Sequence, residues 1–300
     1  MALHRLTSIT VGVPDVAAAA VFYRDFGLDE AAPGRFATAS GGEQLRLVAS
    51  PQRRLVELGI GVDDEDDLGR IAAHLRRLGI ASTRGASGLE TRDPAAGVAV
   101  VAAIAPRIVA VREDVAPYNG PGRCDRQGRA PGLDGPPVRP RKLGHVAYGS
   151  PDFAASHRFL VDGLGLKVSD DIRGQASFLR CSTDHHNVMV QSAPVAFLHH
   201  TAWEVGDVDE IGRGAQHLLG NDPGRHLWGF GRHYAGSNFF WYFRDPAGNF
   251  SEYYSDLDVI PEDEVWTPEA FEGMRSLYAW GPTPPMSFLM PDDLAALAAS

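Results

Sequence analysis

Hydrophobic positions repeat with two periods along this chain, two residues in short apolar runs and three to four in the stretches between them. The densest run lies at 239–256 and reads Phe-Phe-Trp-Tyr-Phe-Arg-Asp-Pro-Ala-Gly-Asn-Phe-Ser-Glu-Tyr-Tyr-Ser-Asp. Residues 239–243 are aromatic and β-rich. Residues 245–249 are turn chemistry, because Pro fixes φ and Gly or Asn accepts a positive φ. A second run starts at once at 250, so the stretch predicts a hairpin. Phe250, Glu252 and Tyr254 then share one face. A carboxylate between two aromatic rings on a buried face is costly unless something cationic faces it. A metal ion or an arginine would each serve.

The first third predicts strands and helices in alternation. Residues 8–13 read as a strand. Pro14-Asp15 opens a helix with Val16, Ala20 and the 22–26 segment inward, and Gly27 ends it. Strands follow at 45–49 and 55–62. An acidic start at 63–67 suits a helix N-terminus, 68–78 is the amphipathic body, and Gly79 stops it. The turn Arg92-Asp-Pro-Ala-Ala and a strand at 98–103 close the unit. Residues 106–140 are crowded with Pro and Gly and read as a linker.

After the linker the pattern restarts. Gly144-His-Val-Ala-Tyr-Gly-Ser-Pro-Asp matches Thr7-Ser-Ile-Thr-Val-Gly-Val-Pro-Asp. Ile211-Gly-Arg-Gly-Ala-Gln-His-Leu matches Leu68-Gly-Arg-Ile-Ala-Ala-His-Leu, and Arg244-Asp-Pro-Ala-Gly matches Arg92-Asp-Pro-Ala-Ala. Three matches in one order indicate a tandem duplication with two strand–helix–strands units per half. The repeat also separates structural from functional positions. Opposite His145 stands Ser8, opposite His200 stands Glu57, and opposite Glu252 stands Val100. The first-half set could not hold the same ion, so a site is expected in the second half alone.

Bulk properties narrow the classes. Three hundred residues exceed one ordinary core, which predicts two domains. A net charge of -10 argues against nucleic-acid or anionic-membrane partners. No apolar run approaches a membrane span, and the start lacks a charged-then-apolar signal pattern. Two cysteines exclude a disulfide framework and fit a cytoplasmic protein. Two imidazoles and a carboxylate are the facial triad of non-haem Fe(II) oxygenases, and Mn(II) accepts the same donors. Zinc hydrolysis uses a similar set, but the helical His-Glu-x-x-His pattern is missing.

Leu198-His-His-Thr-Ala-Trp-Glu-Val, Phe178-Leu-Arg-Cys-Ser-Thr-Asp-His-His-Asn, and Gly231-Arg-His-Tyr-Ala-Gly-Ser-Asn running into Tyr242, Asp-Pro and Glu252-Tyr-Tyr resemble the type I extradiol catechol dioxygenases of the vicinal oxygen chelate superfamily. The resemblance covers about 5–256 and is dense only in the second half. It implies an α+β fold of four βαβββ modules paired into two barrel-like domains. The first, 1–105, would be non-catalytic. After the linker at 106–140, residues 141–256 would hold the metal, and a tail at 257–300 would pack on them. Carried over, His145, His200 and Glu252 are the metal ligands, for Fe(II) or Mn(II). His199 would point to the other face of its strand. His186 resembles the acid–base group, with His185 as the neighbouring register. His233 and Tyr242 resemble the pair that hydrogen-bonds substrate and oxygen.

The implied reaction is extradiol cleavage of a catechol-type diol, with both atoms of O2 entering a semialdehyde product. The implied partners are a small aromatic diol, O2 and further copies of the chain. A glyoxalase-like lyase or isomerase, or a non-catalytic binding relative, are the alternatives. His4, His74, His157, His217 and His226 read as loop or surface positions. Arg180 and Asp184 read as charges at a strand end. Trp228 and Phe230 near Arg232 lean the reading toward an uncharged, hydrophobic catechol. In the apolar tail, 280–288 is expected to cover part of the entrance, with a subunit contact as the alternative.

Overall fold

The structure is a computed structural model that describes residues 3–109, 117–130, 135 and 137–298. The expected linker falls partly outside them, at 110–116, 131–134 and 136, as do the last two residues of the tail.

The first half contains two strand–helix–three-strand modules. The first is β1 (Leu3–Val13), α1 (Val16–Asp25), β2 (Asp29–Ala32), β3 (Arg35–Thr38) and β4 (Gly42–Ala49). The second is β5 (Arg54–Val62), α2 (Glu65–Arg77), β6 (Ser82–Gly85), β7 (Gly88–Arg92) and β8 (Ala99–Ile104). The same plan returns as β9 (Leu143–Ser150), α3 (Phe153–Arg158), β10 (Lys167–Ile172), β11 (Ala176–Arg180) and β12 (Val188–Ser192). It closes with β13 (Phe197–Glu204), α4 (Val208–Asn221), β14 (His226–Arg232), β15 (Phe239–Arg244) and β16 (Phe250–Ser255). A short β17 (Glu269–Phe271) follows. Each half is one mixed sheet, ordered β2-β3-β4-β1-β5-β8-β7-β6 and β14-β15-β16-β13-β9-β12-β11-β10-β17. Apart from β17 the two orders are equivalent, with β1–β5 and β9–β13 antiparallel at the centre.

Local chemistry explains the helices. The four module helices begin at an aspartate whose carboxylate accepts a backbone N–H three residues on: Asp15, Asp64, Asp152 and Asp207. In α2, Leu68, Ile71 and Leu75 form the buried stripe, and His74, Arg76 and Arg77 occupy the negative end of the dipole. The hairpin expected at 239–256 forms with Tyr242 opposite Glu252. Its turn is held by Asp245, which accepts from the N–H groups of Ala247 and Asn249, while Gly248 takes φ 88°. β1 begins five residues earlier than expected, so His4 is buried rather than at the surface.

The halves share one apolar core and exchange polar contacts across it. Phe26, past the end of α1, stacks on Tyr253 of β16 at 4.1 Å between centroids, and the Tyr253 hydroxyl donates to the Phe26 carbonyl at 2.6 Å. Arg53 of the first half is buried. It donates to the Leu198 carbonyl of β13 at 2.6 Å and forks onto Asp293 of the tail at 2.6 and 2.7 Å. Asp93 accepts from Tyr148 and Ser156 of the second half, both at 2.9 Å. Among the described residues no helix is long and apolar enough to cross a membrane.

The Asp93 contact yields a stability expectation. Asp93→Ala would leave the Tyr148 hydroxyl buried without a partner and strip its turn of an acceptor for two N–H groups. A loss of about 3 kcal/mol follows. It should appear as a lower urea midpoint at unchanged slope; a midpoint equal to that of the parent protein would count against the contact.

Candidate functional site

Three adjacent strands of the second sheet bring the three expected donors together. Ala202 of β13 pairs with His145 of β9 on one side and with Glu252 of β16 on the other. His200 lies two residues earlier on β13, hence on the same face. Their candidate donor atoms all lie within 4.8 Å of one another. Glu252 Oε2 stands 3.2 Å from His145 Nε2 and 3.8 Å from His200 Nε2. In the first half the ladder sets Val101 beside Gly59, where the second sets Glu252 beside Ala202. The sequence alignment placed Val100 there; one extra residue follows the turn in the first half. Either valine leaves that half without the carboxylate.

The arginine alternative for Glu252 does not hold among the described residues. Its ion-pair neighbours are the imidazoles of His145, His200 and His233. Glu252 is fully buried; Oε1 accepts from Asn238 Nδ2 at 3.1 Å, and Oε2 has no hydrogen-bond partner. A buried acceptor left open beside two ring nitrogens is what a divalent cation would satisfy, and an N,N,O set suits such an ion.

The tautomer of His200 can be read from its neighbours. The Phe288 carbonyl lies 2.8 Å from His199 Nε2, so that nitrogen donates. His199 Nδ1 is then an acceptor, and His200 Nδ1, 2.7 Å away, donates to it. His200 Nε2 is left with its lone pair toward Glu252. Burial pulls the His199 imidazole down to about 4 and holds His200 well below the usual histidine range. This arrangement corrects the expectation for His199. The β9–β13 register slips between Leu198 and His200, making His199 the extra residue of a bulge. A bulge breaks the alternation of faces, so both rings reach the same cavity.

That cavity holds about 380 Å³. His145, His186, His199, His200, His233 and Tyr242 line it. Ile172, Ala176, Phe178, Met189, Trp228, Leu277, Phe288 and Leu289 form its apolar wall, with Gln175, Gln191, Ser192 and Ser276 as the polar part. His186 sits 4.2 Å, ring to ring, from His145. Burial, and then the neighbouring imidazoles, hold it well below the usual histidine range. His233 donates from Nδ1 to the Leu277 carbonyl at 2.6 Å, and its Nε2 accepts from the Tyr242 hydroxyl at 2.9 Å. Burial lowers His233, while burial and the charge of Glu252 push the Tyr242 phenol up. Trp228 stacks on Tyr242 with planes 11° apart.

Other expected residues lie elsewhere. His185 turns out of the cavity and bonds Asp170 at 2.8 Å. Arg232 pairs with Asp256 at 2.6 Å and covers the Phe239 ring, Arg180 donates to the Val168 carbonyl, and Asp184 pairs with Lys142. Phe230 and Trp280 pack together outside the cavity wall. Within 280–288 it is Phe288 that enters the wall. The inward turn of His199, the role of Asn238 and the carbonyls of Leu277 and Phe288 escaped the sequence reading. The doubled His-His pairs at 185–186 and 199–200 were the available signal for the first of these.

Comparison with known proteins agrees with this geometry. The model of the Glyoxalase/Bleomycin resistance protein/Dioxygenase superfamily matches residues 142–253. Metapyrocatechase 2 of Cupriavidus necator is 32% identical over 301 residues, covering 96% of this chain and 92% of its own. Biphenyl-2,3-diol 1,2-dioxygenase of Paraburkholderia xenovorans (strain LB400) is 27% identical, covering 75% of this chain and 81% of its own. The crystal structure of BphC, a halotolerant catechol dioxygenase, superposes with a TM-score of 0.75 over 97% of this chain and 96% of that one; at 18% identity the likeness concerns the fold. With a relative this similar along nearly its whole length, the chain belongs to the extradiol catechol dioxygenases of the glyoxalase, bleomycin-resistance and dioxygenase superfamily.

Proposed function

We propose that His145, His200 and Glu252 hold Fe(II), that Mn(II) fits the same donors, and that the enzyme cleaves an uncharged, hydrophobic catechol. The observation that carries the substrate reading is the cavity wall. Among the described residues it contains no Lys, Arg, Asp or Glu, so a carboxylated catechol would be desolvated there without a counter-charge. An alkyl or aryl substituent would instead meet Phe178, Met189, Trp228 and Phe288. When bound, the ion supplies Lewis-acid activation of the diol and a path for electrons from the ring to O2.

The protein's part is proton transfer and positioning. His186 is neutral near pH 7 and stands beside His145, so it can take the proton that a diol hydroxyl must lose. The same ring, once protonated, can stabilise charge that develops on oxygen and return the proton as the ring opens. Tyr242 spends its own hydrogen on His233, which leaves its oxygen lone pairs to accept from the second diol hydroxyl. The product is a semialdehyde carrying both atoms of O2. We read residues 1–105 as scaffold, 106–140 as linker, 141–256 as the catalytic domain and 257–300 as a tail that completes its cavity. We also read the enzyme as a cytoplasmic homo-oligomer, consistent with the unpaired Cys124 and Cys181.

Two outcomes are expected. In chelator-treated protein, Glu252→Gln should raise thermal stability by on the order of 1–3 kcal/mol, because it removes a buried open carboxylate oxygen. Added Fe(II) should then stabilise the parent protein and leave the variant unchanged. Calorimetry in which both proteins respond equally to metal would refute the ligand assignment. Oxygen uptake across a catechol panel should favour 3-alkyl or 3-aryl catechols over protocatechuate-type acids, with a yellow product; faster turnover of the acids would overturn the substrate reading.

A further inference from the structure

Asp170, His185 and His186 form a line of hydrogen bonds that ends at the cavity. Asp170, on β10, is 4% exposed. Its Oδ1 accepts from the Glu269 backbone N–H at 2.7 Å, and its Oδ2 lies 2.8 Å from His185 Nε2. His185 Nδ1 lies 3.1 Å from His186 Nδ1. His186 lines the cavity and His185 does not.

Donor and acceptor rules run this line in one direction. A carboxylate only accepts, so His185 Nε2 carries the hydrogen. A neutral imidazole protonated at Nε2 accepts at Nδ1, so His186 Nδ1 must donate. The lone pair of His186 is thereby assigned to Nε2, the ring nitrogen not engaged by His185. We propose that Asp170 and His185 are positioning residues that fix His186 in its Nδ1–H tautomer and aim its Nε2 lone pair at the substrate diol. This rests on the reading of His186 as the proton-transfer group. When a diol O–H bond breaks and an Nε2–H bond forms, the Nδ1–H stays on His186, hydrogen-bonded to His185 Nδ1, so the relay itself moves no proton.

The tail holds the far end of the relay. β17 pairs in parallel with β10, setting Glu269 beside Asp170. Trp266 donates from its indole to the Ser169 carbonyl at 2.6 Å and sets its ring edge-on to His185 at 6.0 Å. With Oδ1 occupied by the Glu269 N–H, the carboxylate is oriented so that Oδ2 alone meets His185. A purely structural role for Asp170 would be served by that N–H contact and would leave the tautomer of His186 indifferent to the change of one carboxylate oxygen to an amide.

The test uses the full-length enzyme loaded with Fe(II). Asp170→Asn offers His185 an N–H in place of an acceptor and should lower kcat about 10–100-fold, with KM changed less than about threefold and metal content unchanged. His185→Leu should do the same. His185→Asn, which places an oxygen near the former Nδ1, should recover about tenfold over His185→Leu. Independently, 15N spectra of histidine-labelled, zinc-substituted protein should show His186 protonated at Nδ1 in the parent and mixed or reversed in Asp170→Asn. Parental kcat in both Asp170→Asn and His185→Leu, or an Nε2-protonated His186 in the parent spectrum, would overturn the relay. His186→Phe separates the two readings. If it alone abolishes turnover, only the relay falls; if it retains full kcat, the proton-transfer reading falls and takes the relay with it. Should Asp170→Asn not fold, the parent spectrum decides.

Discussion

The carboxylate of Glu252 lies fully buried between two imidazole nitrogens, with one oxygen bonded to Asn238 and the other open. Burying such a group is costly, and much of the second half is arranged around that cost. The hairpin 239–255 places the residue, β13 and β9 place the two imidazoles on the same face, and Asn238 satisfies one oxygen. The remaining open oxygen is what a cation among the three groups would satisfy. The first half keeps the ladder but carries Ser8, Glu57 and Val101 at the matching places, and so has no such cost to offset.

The imidazoles are controlled by groups that have no side-chain signature. The carbonyls of Leu277 and Phe288 accept from His233 and His199, and the Glu269 N–H orients the carboxylate that meets His185. All three backbone groups belong to the tail. The tail is therefore less a cover than a frame: it supplies Phe288 and Leu277 to the cavity wall and, through the same residues, assigns which ring nitrogen keeps a lone pair. Arg53 ties this frame down from the other half by joining Asp293 to the carbonyl of Leu198, next to His199. The first half thus reaches the site through hydrogen bonds and adds no side chain to the cavity wall.

Burial and pairing together explain why the cavity can work near neutral pH. The five imidazoles around it pack among one another and among aromatic rings, and burial holds His186, His199, His200 and His233 toward the neutral form. Neutral rings can bind a cation or take a proton. Charged side chains such as Arg232, Arg180 and Asp184 are spent on partners outside the cavity. The wall is left to apolar groups and neutral amides, the balance on which the proposed preference for an uncharged diol rests.

Local and repeating features were legible from residue order. Four aspartate-capped helices, the 239–256 hairpin and the duplicated modules follow from periods of two and 3.6 and from turn residues, all of which act over a few neighbours. The three donors were legible because one copy of a repeat differed from the other and because the second copy resembles a known family. What residue order could not decide was the side of the strand on which His199 falls, since the bulge that turns it inward exists only in the pairing of β13 with β9. Nor could it decide that Trp280 stays outside while Phe288 enters, that Arg232 turns away, or that Asp170 and two tail carbonyls address the imidazoles. Backbone carbonyls and N–H groups are the same in every residue, and their choice of partner is made by strands and loops that meet across more than 40 positions of chain. Sequence determined the modules and the donors; the tertiary pairing alone determined which ring nitrogen of His186 and of His200 keeps its lone pair.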